Sequence, residues 1–148
     1  MPSDLQFKTM NAFHRCILRL SGGHLGWRAG GMPVLELTTT GRVSGQPRTV
    51  MVTSPVQDGE TLVIVASRGG DDRHPAWFLN LRDEPHVDVA FAGQPKRPMQ
   101  ARVASAEERE TLWPRVTSAS KGYAGYQTRT TREIPLVLLE PLGPGNAP

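Results

Sequence analysis

Six short runs of β-branched and apolar residues, cut apart by Gly, Pro and Asp-Gly, constrain this chain more than any other feature. They are Pro33 to Thr40, Arg48 to Pro55, Thr61 to Ala66, Val87 to Phe91, Met99 to Val103 and Ile134 to Glu140. Val87, Val89 and Phe91 alternate with His86, Asp88 and Ala90, the two-residue period of a half-buried strand. Arg48, Val50 and Val52 share a face by the same alternation. Thr61 to Ala66 is almost wholly apolar and reads as a strand covered on both sides. Runs this short, with 15 Gly and 13 Pro in 148 residues, favour hairpin-connected antiparallel strands over a helical bundle. The turns fall at GRVSG, at Asp58-Gly59 and at Gly93 to Pro98. The expected class is α+β, mainly β: a small antiparallel barrel of five or six strands with helices outside it.

Three segments read as helices. Ser3-Asp4-Leu5-Gln6 forms a capping box, and Met10, Phe13, Ile17 and Leu20 recur at helical spacing, which predicts a helix over about residues 4 to 20. Its other face carries Lys8, Arg15 and Arg19, so either the apolar stripe packs on the protein body or the helix lies on an anionic membrane surface. Pro75 opens a second helix through Trp77, Phe78 and Leu81, which Pro85 stops. Ser105 with Glu108 is another capping box, for a helix to about Ser118 that Pro114 is expected to bend. Tyr123 and Tyr126 fall in a loop, three residues apart, where a turn or short helix would put them on one face. Gly22, Gly23, Gly26, Gly30 and Gly31 make a connector with neither G-x-G-x-x-G spacing nor a preceding strand. Trp27 within it either plugs the core or covers a ligand edge. One domain over residues 1–148 follows: helix and connector 1–30, barrel 31–141, tail 142–148.

Composition removes other classes. The single Cys16 allows no internal disulfide, lies on the apolar helical face and fits a reducing cytoplasm. No run reaches the ~18 apolar residues of a membrane span. Lys8, His14, Arg15 and Arg19 break up any signal-peptide core. Net charge is +3 with Arg outnumbering Lys 14 to 3. These cations are scattered among acids rather than massed beside aromatic residues, which argues against nucleic acid. His14, His24, His74 and His86 lack paired spacing to carboxylates or Cys16, so no metal site is expected. Ser118-Ala119-Ser120-Lys121 matches S-x-x-K without its companion motifs, and GRVSG is not the G-x-S-x-G elbow.

The chemistry concentrates in two stretches, Leu37 to Arg48 (LTTTGRVSGQPR) and Val65 to Asn80 (VASRGGDDRHPAWFLN). Each leaves a β-prone run for a Gly-containing turn with Arg and hydroxyl side chains. Backbone N–H groups and fixed positive charge then stand together, which suits a phosphate-bearing ligand. Arg42 and Arg48 flank the first turn with Ser44 between them. Gly69 and Gly70 in the second let backbone approach a flat ring closely.

These motifs, with HPAW, N-L-x-x-x-P and the late GY-xx-YQ-x-RT-x-R-x-IP, resemble the deazaflavin-dependent nitroreductase family, in register from about Gly31 to Pro141. The resemblance implies a split β-barrel of the FMN-binding type, with an N-terminal helix and peripheral helices. It also implies a bound reduced deazaflavin, coenzyme F-420, that passes hydride to a quinone, activated alkene or nitro compound. On the family's pattern Arg42, Ser44, Gly45, Pro47 and Arg48 hold the coenzyme's phosphate and acidic tail. Ala66, Ser67, Arg68, Gly69 and Gly70 run beside its ring, and Ala76, Trp77 and Asn80 pack around it. Tyr126, Tyr123 and Ser67 face the chemistry. Val43, Thr53 and Ser120 depart from relatives that carry a base or an aromatic there, which bears on tail contacts and acceptor range. A non-catalytic carrier of a cofactor or lipid, or an FMN-using oxidoreductase, would sit on the same barrel. Expected partners are the coenzyme and a small acceptor, with the chain a monomer or homodimer. Its Arg-rich composition fits an actinobacterial source, and its place is the cytoplasm, with the N-terminal helix able to touch membrane.

Overall fold

The computed structural model describes residues 28–29, 31–91 and 94–142. The helix expected at 4 to 20, Cys16 and Trp27 lie outside the described residues, as does the membrane-facing reading of that helix. The described residues form eight strands: β1 (Arg28–Ala29), β2 (Met32–Thr40), β3 (Pro47–Thr53), β4 (Val56–Asp58), β5 (Thr61–Val65), β6 (His86–Ala90), β7 (Arg97–Val103) and β8 (Leu136–Pro141). Three helices accompany them, α1 (Ala76–Asp83), α2 (Ala106–Ala119) and α3 (Gly122–Thr128), with a 3₁₀ turn at Arg68–Gly70. The strands make one antiparallel sheet ordered β1-β2-β6-β7-β8-β5-β4, with β3 on β2. This curled sheet is a split β-barrel.

The strand count exceeds the five or six expected because β1 and β4 are too short to leave a pattern. Ser54 makes β4 possible. Fully buried between β3 and β4, its Oγ lies 2.9 Å from the Val56 carbonyl and 2.8 Å from that of Val63, so the side chain ties the bend to β5. The loop expected around Tyr123 and Tyr126 is instead helical. Two glycines and the lack of a side-chain N-cap weaken the local signal for α3, and tertiary contacts hold it.

Alternation in β5 and β8 builds two cores from one pair of strands. Leu62, Ile64 and Ala66, with Val137 and Leu139, join Leu35, Leu37, Val87, Val89 and Met99 against Phe78 and Leu81 of α1. The intervening Val63, Val65, Leu136 and Leu138 face the other way, under Leu112 and Val116 of α2 and Tyr123 of α3. Strands covered on both faces read as continuous apolar runs, and these two do. Each such Leu or Val contributes about 1.5–3 kcal/mol by leaving water.

The α2 capping box forms as read: Ser105 Oγ accepts from the Glu108 amide at 3.1 Å, and Glu108 Oε1 accepts from the Ser105 amide at 3.0 Å. The helix runs unbroken through Pro114. Among the described residues no helix is long and apolar enough to cross a membrane.

Candidate functional site

The turn between β2 and β3 is closed by its own backbone. Gly41 N–H donates to the Gln46 carbonyl and Gly45 N–H to the Gly41 carbonyl, each at 2.8 Å. Gly45 takes a left-handed φ of 70°. At Gly41 a Cβ would stand 2.7 Å from Ser44 Oγ, so only glycine lets that hydroxyl fold inward. Ser44 Oγ then accepts from the Gln46 amide and from Arg48 Nη2, both at 3.2 Å. Arg42, Ser44, Gly45, Pro47 and Arg48 are exposed, and Val43 at the tip is 92% exposed.

Asn80 of α1 moors this turn. Its buried carboxamide oxygen accepts from the Arg42 amide at 3.1 Å and from Arg42 Nη1 at 3.3 Å, while Nδ2 donates to Thr39 Oγ1 at 3.2 Å. The Asn80 side chain is thus engaged in fixing where Arg42 starts from. Ala76 is exposed and Trp77 half-buried at the start of the same helix, Trp77 packing against the core that holds Phe78.

The second stretch leaves β5 at the buried Ala66 and turns sharply. Arg68, Gly69 and Gly70 have φ of 45°, 64° and 84°, three left-handed residues in succession. Left-handed backbone is unfavourable at a non-glycine residue such as Arg68. An ion pair from Arg68 Nη1 to Asp71 Oδ2 at 2.9 Å braces it. Asp71 is buried, and the Arg73 amide donating to it, opposed by desolvation, holds its carboxyl below the usual carboxylate range. Gly70 cannot be other than glycine without movement: a Cβ there would lie 2.7 Å from the Tyr126 carbonyl and 3.0 Å from Arg129 Cβ. Ser67, at the start of this turn, is half-buried.

Helix α3 brings the two tyrosines to this loop. Their rings meet edge to face, 6.1 Å between centroids at 80°. Tyr123 is buried, and its hydroxyl lies 2.9 Å from Thr53 Oγ1 at the end of β3. Burial pushes its phenol above the ordinary value, so it stays protonated through the physiological range. Tyr126 is half-buried, with the Arg129 guanidinium 5.6 Å above its ring. Arg129 Nη1 also donates to the Gly69 carbonyl at 3.4 Å.

The fold therefore sets the 66–71 loop beside α3, and links the 41–48 turn to the following helix α1 through Asn80. Among the described residues no group of three His, Cys, Asp or Glu side chains could hold a metal ion. Three participants went unassigned in the sequence: Thr39 beneath Asn80, Arg129 over Tyr126, and Arg132. Arg132 and Arg129 both stand in the RT-x-R run, which was the available signal.

The F420H(2)-dependent quinone reductase family model matches residues 11–141. An F420H(2)-dependent quinone reductase of Mycobacterium tuberculosis is 38% identical over 132 residues, 85% of this chain and 86% of its own. A solved F420-H2 dependent reductase (FDR-A) superposes with a TM-score of 0.65 at 38% identity, covering 73% of this chain and 94% of that one. A second structure, described as a domain-swapped dimer, gives 0.66 at 32% identity over 89% of this chain and 99% of its own.

Proposed function

Since the chain belongs to the F420H(2)-dependent quinone reductase family, we propose that it reduces a quinone with coenzyme F-420, using the two glycine-bearing turns to hold the coenzyme. When bound, the reduced deazaflavin supplies two electrons as hydride, so the protein needs neither a nucleophile nor a metal.

The observation that carries the reading is the donor set of the 41–48 turn. Two exposed guanidiniums and a serine hydroxyl flank a left-handed glycine, a combination suited to a phosphate and a carboxylate tail. Asn80 fixes the root of Arg42, and Ser44 steadies Arg48, so the charges are directed before a ligand arrives. In the second turn Ala66, Ser67, Arg68, Gly69 and Gly70 would border the ring, with the Ser67 hydroxyl facing its polar edge. Ala76 and Trp77 close the same side.

Tyr126 is the proton donor in this reading. Its Oη would give a hydrogen bond, then a proton, to the quinone oxygen that gains charge, while the Arg129 guanidinium, 5.6 Å over the ring, holds the ring in place. Tyr123, tied to Thr53, stiffens the helix that presents Tyr126 and excludes water. The chain acts as a monomer or homodimer, which light scattering on the purified protein distinguishes. Peripheral membrane contact belongs to the segment 4 to 20, and co-sedimentation with anionic vesicles tests it.

The test is a fluorescence titration with F-420 beside FMN, followed by oxidation of the reduced coenzyme with and without a soluble quinone. F-420 should bind in preference to FMN. Arg42→Ala and Arg48→Ala should each weaken it by about tenfold, the loss of one charge-assisted contact. Added quinone should accelerate turnover. Preference for FMN, or no acceleration by quinone, overturns the reading.

A further inference from the structure

Behind the 66–71 loop stands a residue that neither binding turn contains. Arg132, between α3 and β8, spreads its guanidinium across the end of β5. Nη1 donates to the Ala66 carbonyl at 3.2 Å, Nη2 to the Ser67 carbonyl at 2.9 Å and Nε to the Asp71 carbonyl at 2.8 Å. One planar fork therefore fixes the direction of three carbonyls in a loop of six residues. That loop needs holding: a non-glycine residue with φ of 45° followed by two left-handed glycines persists only where its surroundings over-determine it.

A fourth acceptor completes the fork. Nη1 of Arg132 lies 3.3 Å from His74 Nδ1. Because arginine only donates, Nδ1 must accept and the imidazole proton sits on Nε2. The other charged groups around this pair are Arg82, which acts on His74, and Arg68, Asp71 and Asp72, which act on Arg132. The Phe78 ring packs on the imidazole at 4.7 Å. Partial burial, and then the charges of Arg132 and Arg82, hold the imidazole below its ordinary value and hence neutral at neutral pH. A proton on Nδ1 would turn the acceptor into a donor pointed at a donor-only cation.

We propose that Arg132 is a positioning residue for the 66–71 loop, clamping the Ala66, Ser67 and Asp71 carbonyls, and that neutral His74 is the fourth member of the clamp, which loosens when His74 takes a proton. That the loop so held faces F-420 rests on the function proposed above; the clamp itself does not. With those three carbonyls engaged by Arg132, the path of the loop backbone through Arg68, Gly69 and Gly70 is fixed at both ends.

Amide hydrogen exchange of residues 66–72 in the ligand-free protein between pH 5 and 8, corrected for the intrinsic pH dependence of exchange, tests the clamp in the wild type, R132K and H74Q. Lysine keeps the charge but cannot fork to three carbonyls, and glutamine offers an acceptor that does not titrate. The wild-type loop should lose protection by about tenfold as pH falls below the ordinary histidine value, the scale of one lost hydrogen bond. H74Q should stay protected across the range. R132K should be about tenfold less protected at every pH, with β2 and β6 still fully protected as the control for folding. An R132K loop as protected as the wild type, or an acid-side loss that persists in H74Q, overturns the proposal. F-420 titrations on the same samples should follow the exchange, with weaker binding wherever protection falls. Wild type that fails to bind F-420 would remove the proposed function, while the exchange pattern would still decide the clamp.

Discussion

Gly70 shows how much a single position can be required to do. Its φ of 84° and the Tyr126 carbonyl 2.7 Å from where a Cβ would sit exclude a side chain twice over. Gly70→Ala should cost about 1–3 kcal/mol and push α3 off the loop; urea denaturation with Tyr fluorescence measures both. The tyrosines separate by role. Tyr126→Phe should lower kcat with quinone while leaving the F-420 dissociation constant unchanged, and unchanged turnover would remove Tyr126 as the proton donor. Tyr123→Phe should cost about 1 kcal/mol of stability through its Thr53 partner. Acid sensitivity concentrates at Glu108. Hydrogen bonds from Arg102, then from the Ser105 amide, lower its carboxyl from 4.5 to about 2. A carboxyl with a depressed folded value stabilises fully above its unfolded value and loses that contribution as pH falls. Stability should therefore decline between pH 4.5 and about 2, and Glu108→Gln should flatten that part of the curve in pH-dependent urea titrations.

Elements with local signals were legible in the sequence, and elements held by distant contacts were not. The α2 capping box, the glycine turn between β2 and β3, the Pro75 start of α1 and the apolar runs of β5 and β8 are each written within a few neighbouring residues. Ser105→Ala should therefore cost about 1 kcal/mol, readable in thermal unfolding, because the cap is used as it reads. Strand β4 and helix α3 left no such mark: one is three residues long behind a buried serine, the other contains two glycines. The candidate site divides the same way. Arg42, Arg48, Ser67 and the glycines stand out because charge and backbone freedom occur together in a turn. Arg132 does not, since the carbonyls it holds lie 61 to 66 residues away and no periodicity records contacts across that distance.

At the scale of the whole molecule, β5 and β8 bind two cores into one cooperative body. Leu37 packs in the core against α1, and Leu112 in the core beneath α2 and α3. Leu37→Ala and Leu112→Ala should each cost about 2–5 kcal/mol, and both should shift the same single urea transition. Two separable transitions in either variant would mean that the cores unfold independently. The shared strands also shape what descent with modification can do to this enzyme. A residue in β5 or β8 answers to one core while its neighbours answer to the other, so neither strand can drift one face at a time. The loop at the end of β5 inherits that rigidity. Novelty must therefore enter from the periphery, through short helices such as α3 and exposed turns such as the hairpin tip at Val43, while the strands stay close to their ancestral sequence.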